Sequence, residues 1–275
     1  MWRRVITACA LAALVVVPSA SPQVVVGRTA FRAVLLPAGA VKALSIACPR
    51  GYLAVSSGAA EVGAGVTVLE DRPLGARTFR LRLLNGADAA QRATAVASCR
   101  RVRYSGRKSP YLRLSALRHV TVTVAPSTQR QAHLTCPSGT VPAAAGFDLG
   151  RSNLVVQQET QDLHVLTFAV FNGGMKARAV SFYGSCLTVV RPAGAPATQL
   201  QVSLATDTVP IHNGSQVVTR ICPAGSLALG VGYSLPVGIE LNGAAAVART
   251  GRWSLTNSAE KPVLAQLQLA CTKLS

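Results

Sequence analysis

Reactive side chains are few in this chain of 275 residues, and cysteine leads them. Cys9 lies in an apolar leader, while Cys48, Cys99, Cys136, Cys186, Cys222 and Cys271 are spread along the remainder. Thiols so placed could ligate a metal, exchange electrons or form disulfides. There is no C-x-x-C, which removes a thioredoxin-like redox pair. His133 stands three residues before Cys136, but Ser45 and Thr219 stand there before Cys48 and Cys222, so no metal site is expected. An even set of cysteines behind an export signal points to disulfides.

The remaining candidates do not assemble into a catalytic pattern. His119, His133, His164 and His212 fall at unrelated positions, and His164 reads as part of an apolar strand. Ten carboxylates show no glycosidase-like or aspartic-dyad spacing, and the adjacent pair Glu70 and Asp71 precedes Arg72-Pro73 in what reads as a turn. G-x-S-x-G, H-E-x-x-H and a phosphate-binding glycine loop with lysine are all missing. The expectation is a protein that is not an enzyme and uses no cofactor.

Charge is the asymmetric signal. The formal net charge is +18, and residues 24–118 hold 16 basic against 4 acidic residues, whereas 119–204 and 205–275 each hold 5 against 3. The densest part contains Arg100, Arg101, Arg103, Arg107, Lys108, Arg113 and Arg118, with Tyr104 and Tyr111 among them. Such a stretch can serve an anionic partner, an acidic cell-wall polymer or polysaccharide, or can be an ordinary solvated face. Aromatic residues are too few to form base-stacking platforms, so sequence-specific nucleic-acid binding is not expected.

The elements that carry these residues follow from an internal periodicity. C-P-x-G begins at Cys48, Cys136 and Cys222, 88 and 86 residues apart. Ten residues after each lies Gly58, Gly146 or Gly232, and fourteen before each closing cysteine lies Asn85, Asn172 or Asn257. Proline at Pro49, Pro137 and Pro223 fixes φ, and glycine at Gly51, Gly139 and Gly225 permits a positive one, so the corner is a chain reversal. The later glycines suggest a bulge or the close approach of another backbone, and the asparagines a hairpin turn. These twelve residues are therefore read as structural. Period-two alternation, as at Leu81 and Leu83, recurs in all three copies, and no long helical periodicity competes with it.

The predicted fold is all-β: three tandem repeats of a small disulfide-stapled β-sandwich-like or open-barrel unit, packed together. Residues 1–20 are a signal peptide, with 24–104, 111–192 and 198–275 as the β-repeats. The leader has Arg3 and Arg4 before 13 apolar residues, Val5 to Val17, too few for the roughly 20 that span a bilayer. No integral span is expected once it is cleaved, and the protein should be secreted or associated with the cell envelope. Six cysteines allow 15 pairings; treating the copies alike selects Cys48 with Cys99, Cys136 with Cys186 and Cys222 with Cys271.

The pattern C-P-x-G-x6-G followed by Phe147 or Tyr233, then Trp253-x3-Asn257 and a strand into Cys271, resembles a disulfide-containing β-repeat of secreted actinobacterial proteins. The resemblance spans all three copies and is closest in the third. The first departs from it, with Ala59 in place of the aromatic and no tryptophan. It implies secretion, β-structure and disulfides, and no particular activity. The expected role is non-catalytic, structural or binding; binding of anionic envelope polymers through the basic segment is one alternative, and an exported hydrolase or hydrolase inhibitor another.

Overall fold

The computed structural model describes residues 24–103, 108–150, 153–195 and 197–275. The predicted signal peptide, Tyr104 and Arg107 lie outside them. Nineteen strands and no helix occur among the described residues. Segment 24–103 forms β1 (Val24–Leu36), β2 (Val41–Ala47), β3 (Leu53–Ala60), β4 (Val66–Pro73), β5 (Thr78–Asn85) and β6 (Gln91–Arg103). Segment 111–190 forms β7 (Tyr111–Leu114), β8 (Arg118–Val124), β9 (Gln129–Thr135), β10 (Val141–Asp148), β11 (Leu154–Gln161), β12 (Val165–Asn172) and β13 (Arg178–Val190). Segment 200–274 forms β14 (Leu200–Ile211), β15 (Gly214–Ile221), β16 (Leu227–Ser234), β17 (Ile239–Val247), β18 (Thr250–Asn257) and β19 (Val263–Leu274).

One antiparallel pairing scheme serves each segment. Counting β7 and β8, which pair in turn with β13, as one first strand, the last strand lies between the first and third (β1-β6-β3, β8-β13-β10, β14-β19-β16), and the fifth between the second and fourth (β2-β5-β4, β9-β12-β11, β15-β18-β17). Alternate residues of the fifth strand point inward: Phe79, Leu81 and Leu83 on β5, Phe168 and Val170 on β12, Trp253 and Leu255 on β18, all fully buried. In the first segment they meet Ala93, Ala95 and Ala97 of β6, so two sheets face each other across a core of one large and one small layer. The bridges Cys48–Cys99, Cys136–Cys186 and Cys222–Cys271 each tie the end of the second strand to the last strand, joining the two sheets.

The corner residues do the mechanical work that their types predict. Gly51, Gly139 and Gly225 have φ of 83°, 74° and 77°. Tyr52, Thr140 and Ser226 each donate N–H to the carbonyl of the corner proline at 3.1 Å. Asn85, Asn172 and Asn257 are buried last residues of their strands, and their side chains bracket the hairpin that follows. Asn257 Nδ2 donates to Ile211 O (2.7 Å) and Lys261 O (3.0 Å), and its Oδ1 accepts from Ala259 N (2.8 Å). Asn85 and Asn172 make the corresponding bonds.

Gly58, Gly146 and Gly232, read above as marking a bulge or a close backbone approach, lie inside strands β3, β10 and β16, where another segment's backbone crosses them. A Cβ on Gly146 would fall 2.0 Å from Asp71 O, one on Gly232 2.6 Å from Glu159 O, and one on Gly58 1.8 Å from Ala244 O. A bulge in each fourth strand, after Val68, Val156 and Leu241, precedes this crossing. Thus β4 pairs with β10 (Phe147 opposite Asp71) and β11 with β16 (Glu159 opposite Tyr233), making continuous sheets across two junctions. At the third junction β17 packs against β3 without a hydrogen-bonded ladder, and the ring closes.

Candidate functional site

The basic stretch is divided by strand alternation. Arg101 and Arg103 at the end of β6 are exposed, as are Lys108, Arg113 on β7 and Arg118 on β8. Arg100 faces the other way and is fully buried, because the third segment packs over that side of β6. Its guanidinium donates to Cys99 O (3.0 Å), Ala248 O (3.1 Å) and Ala228 O, and burial lowers its pKa to about 10. Arg100 is therefore an internal latch between the first and third segments rather than part of an anion-binding surface. Arg118 Nη1 is also committed, to Thr135 O at 2.7 Å.

A residue outside the predicted stretch joins it in space. Arg28 on β1 and Arg101 on β6 lie over the ring of Tyr52, 5.6 Å and 4.6 Å from its centroid. The β1–β6 register, Val26 opposite Arg101 and Arg28 opposite Cys99, puts both arginines on one face of the sheet. Neither has a carboxylate partner among the described residues. Both arginines are exposed, so they cover the buried Tyr52 ring from the solvent side.

The carboxylates are organised in a way the spacing did not reveal. Glu70 and Asp71, read above as a turn, lie within β4, because the chain continues beside β5 as far as Pro73. Glu70 is buried near Arg80 (3.4 Å) and Arg82 (3.7 Å), and Arg82 reaches Asp148 of the second segment at 3.0 Å. Burial and the Asp148 charge still raise its pKa, outweighing the arginines. Asp71 alternates to the opposite side.

There it meets a cavity of about 100 Å³ lined by the third and fourth strands of all three segments. Glu159 and Tyr233 line it from β11 and β16, and Ser56 and Ser57 from β3. Ser57 Oγ donates to Asp71 Oδ1. Burial pushes Asp71 up to about 7, more strongly than the Ser57 hydrogen bond lowers it. Glu159 is pushed up to about 8, by burial and by the Asp71 charge, although it keeps some accessible surface; that surface belongs to the cavity wall. Tyr233 is raised well above its ordinary value by burial and by both carboxylates. Near neutral pH this interior holds titratable protons, with no histidine among the lining residues.

No known family model and no curated protein matches the chain. The site must therefore be read from its own chemistry. Ser57 Oγ meets Asp71 directly with no histidine between them, and no cluster of three or more His, Cys, Asp or Glu suited to a metal occurs among the described residues. His133 bonds Thr167 Oγ1 (3.1 Å), and His119 stacks on Tyr183. His164, read above as a strand residue, lies in the turn before β12 with Nδ1 3.2 Å from Thr140 O. A sequence signal for the cavity did exist: Asp71 and Glu159 each stand 23 residues after a C-P-x-G cysteine, at Cys48 and Cys136. Matching identical residues hid it, because one is aspartate and the other glutamate.

Proposed function

We propose that this is an exported, non-catalytic binding protein built from three copies of one stapled unit, and that it engages anionic envelope polymers through the first segment. The observation that carries this reading is the pair Arg28 and Arg101 on Tyr52, two guanidinium groups held on an aromatic face without carboxylate partners among the described residues. Arg103 and Lys108 extend the charge. Three disulfides support export, since such bonds persist in oxidising compartments. Inward placement of Glu70, Asp71 and Glu159 leaves the outer surface more basic than the formal charge implies. The partner chemistry is a repeating phosphate or sulfate, matched by forked donors.

The test is retention on immobilised polyphosphate and dextran sulfate between about 50 and 300 mM salt, where each phosphate contact contributes to the salt slope. Converting Arg28, Arg101, Arg103 and Lys108 to Gln should weaken binding at least tenfold and flatten that slope. Unchanged retention and slope would reject the reading.

A further inference from the structure

The cavity carries a second inference, independent of the arginine face. Two carboxylates reach it from different segments. Asp71 uses Oδ1 for Ser57 and leaves Oδ2 unpartnered, and the Glu159 carboxylate makes no hydrogen bond among the described residues. Tyr233 supplies a separate observation. It is 97% buried, opposes Glu159 in the β11–β16 register, and its hydroxyl makes no hydrogen bond among the described residues. A phenol oxygen without a partner on the cavity wall is available to whatever the cavity holds. Ser56 Oγ on the same wall is also unpartnered.

Val68, Phe147, Val156 and Leu166 give the wall an apolar part, and Gln161 and Gln268 add polar side chains. Among the lining residues Val155 alone is exposed, and the others are buried or half-buried. The volume suits a solute of a few non-hydrogen atoms rather than a sugar chain.

We propose that this cavity binds a small organic ammonium ion, with the N–H groups directed at Asp71, Glu159 and the Tyr233 oxygen and the alkyl part against Val156 and Leu166. An ammonium carries three donors, matching three oxygens, and needs no closed ligand shell. A metal ion calls for a denser ligand set, and no cluster of three or more His, Cys, Asp or Glu occurs among the described residues. Binding releases protons, because the cation favours ionised carboxylates that the empty cavity holds protonated. The titratable neighbours are limited: Glu70 lies beside Asp71 on β4, while Arg80, Arg82 and Asp148 gather around Glu70.

The experiment is calorimetric titration of the disulfide-bonded protein with n-butylammonium chloride, with n-butanol and calcium chloride in parallel. Saturable binding of butylammonium alone is expected. It should weaken on the order of 10²-fold from about pH 8.5 to pH 6 as Glu159 and Asp71 take up protons. Glu159→Gln should abolish binding and Tyr233→Phe should weaken it severalfold, with Trp253 fluorescence reporting intact folding. Equal binding of n-butanol would show a merely apolar cavity and overturn the proposal. So would calcium binding without butylammonium binding, no binding at all, or full binding by folded Glu159→Gln.

Discussion

Burying Asp71 and Glu159 has a direct consequence for stability, and its sign is opposite to that of most salt-bridged carboxylates. Asp71 titrates at about 7 in the folded protein against 3.8 ordinarily, and Glu159 at about 8 against 4.5. Between the unfolded and folded values, the folded state holds protons that the unfolded state has released. Stability is therefore fully present below about pH 4 and is lost as pH rises through the folded values. Three units for Asp71 correspond to about 4 kcal/mol, and Glu159 adds a share coupled to the Asp71 charge. Between about pH 5 and 7 the free energy of unfolding should fall by as much as ~2.7 kcal/mol per pH unit, the value for two protons. Urea unfolding with the disulfides intact measures this, followed by Trp253, the one tryptophan besides Trp2. Asp71→Asn and Glu159→Gln should each remove about one proton from the slope and make the protein more stable than the parent above about pH 8. Stability that is flat or rises with pH in this window, or variants that keep the parent slope, would refute the argument.

Three further outcomes follow from the scaffold. Non-reducing peptide mapping should return the bridges 48–99, 136–186 and 222–271, and replacing Cys222 and Cys271 together by Ser should cost about 4 kcal/mol in urea unfolding, the loop-closure value for a separation of 49. Gly146→Ala, whose Cβ meets the Asp71 carbonyl at 2.0 Å, should cost about 1–3 kcal/mol, while Gly75→Ala, with nothing within 4 Å, should stay within about 0.5 kcal/mol. Asn257→Leu should cost about 2–3 kcal/mol by stranding the Ile211 and Lys261 carbonyls, and should raise hydrogen exchange at Ala259.

The all-β class was legible because period-two alternation and turn chemistry are local properties. Phe79, Leu81 and Leu83 announce an inward face without reference to any other strand. Gly58, Gly146 and Gly232 were half legible: glycine in a strand signals close approach, but which backbone approaches is a long-range fact. Arg100 shows the complementary limit. Its neighbours Arg101 and Arg103 face solvent, and nothing local tells that the third segment covers the alternate side of β6. The cavity was least legible, since Asp71, Glu159 and Tyr233 converge only after three segments associate. A carboxylate that looks solvated in a turn-like E-D-R-P became interior through the pairing of β4 with β10.

The unladdered contact between β17 and β3 also bears on how molecules of this protein can go wrong together. Two junctions are sealed by backbone hydrogen bonds, whereas this one is closed by small residues, the Arg100 latch and a Ser98 hydroxyl bonded to Ala246 O. If it parts, one edge of the first segment and one of the third are released at opposite ends of the chain's order. Edges that fit within one molecule fit equally between two, so an opened ring can add copies head to tail. High effective concentration favours self-closure in dilute solution. Crowding at high protein concentration works the other way, and weakening the Arg100 latch should favour head-to-tail chains of molecules, seen as concentration-dependent growth in light scattering.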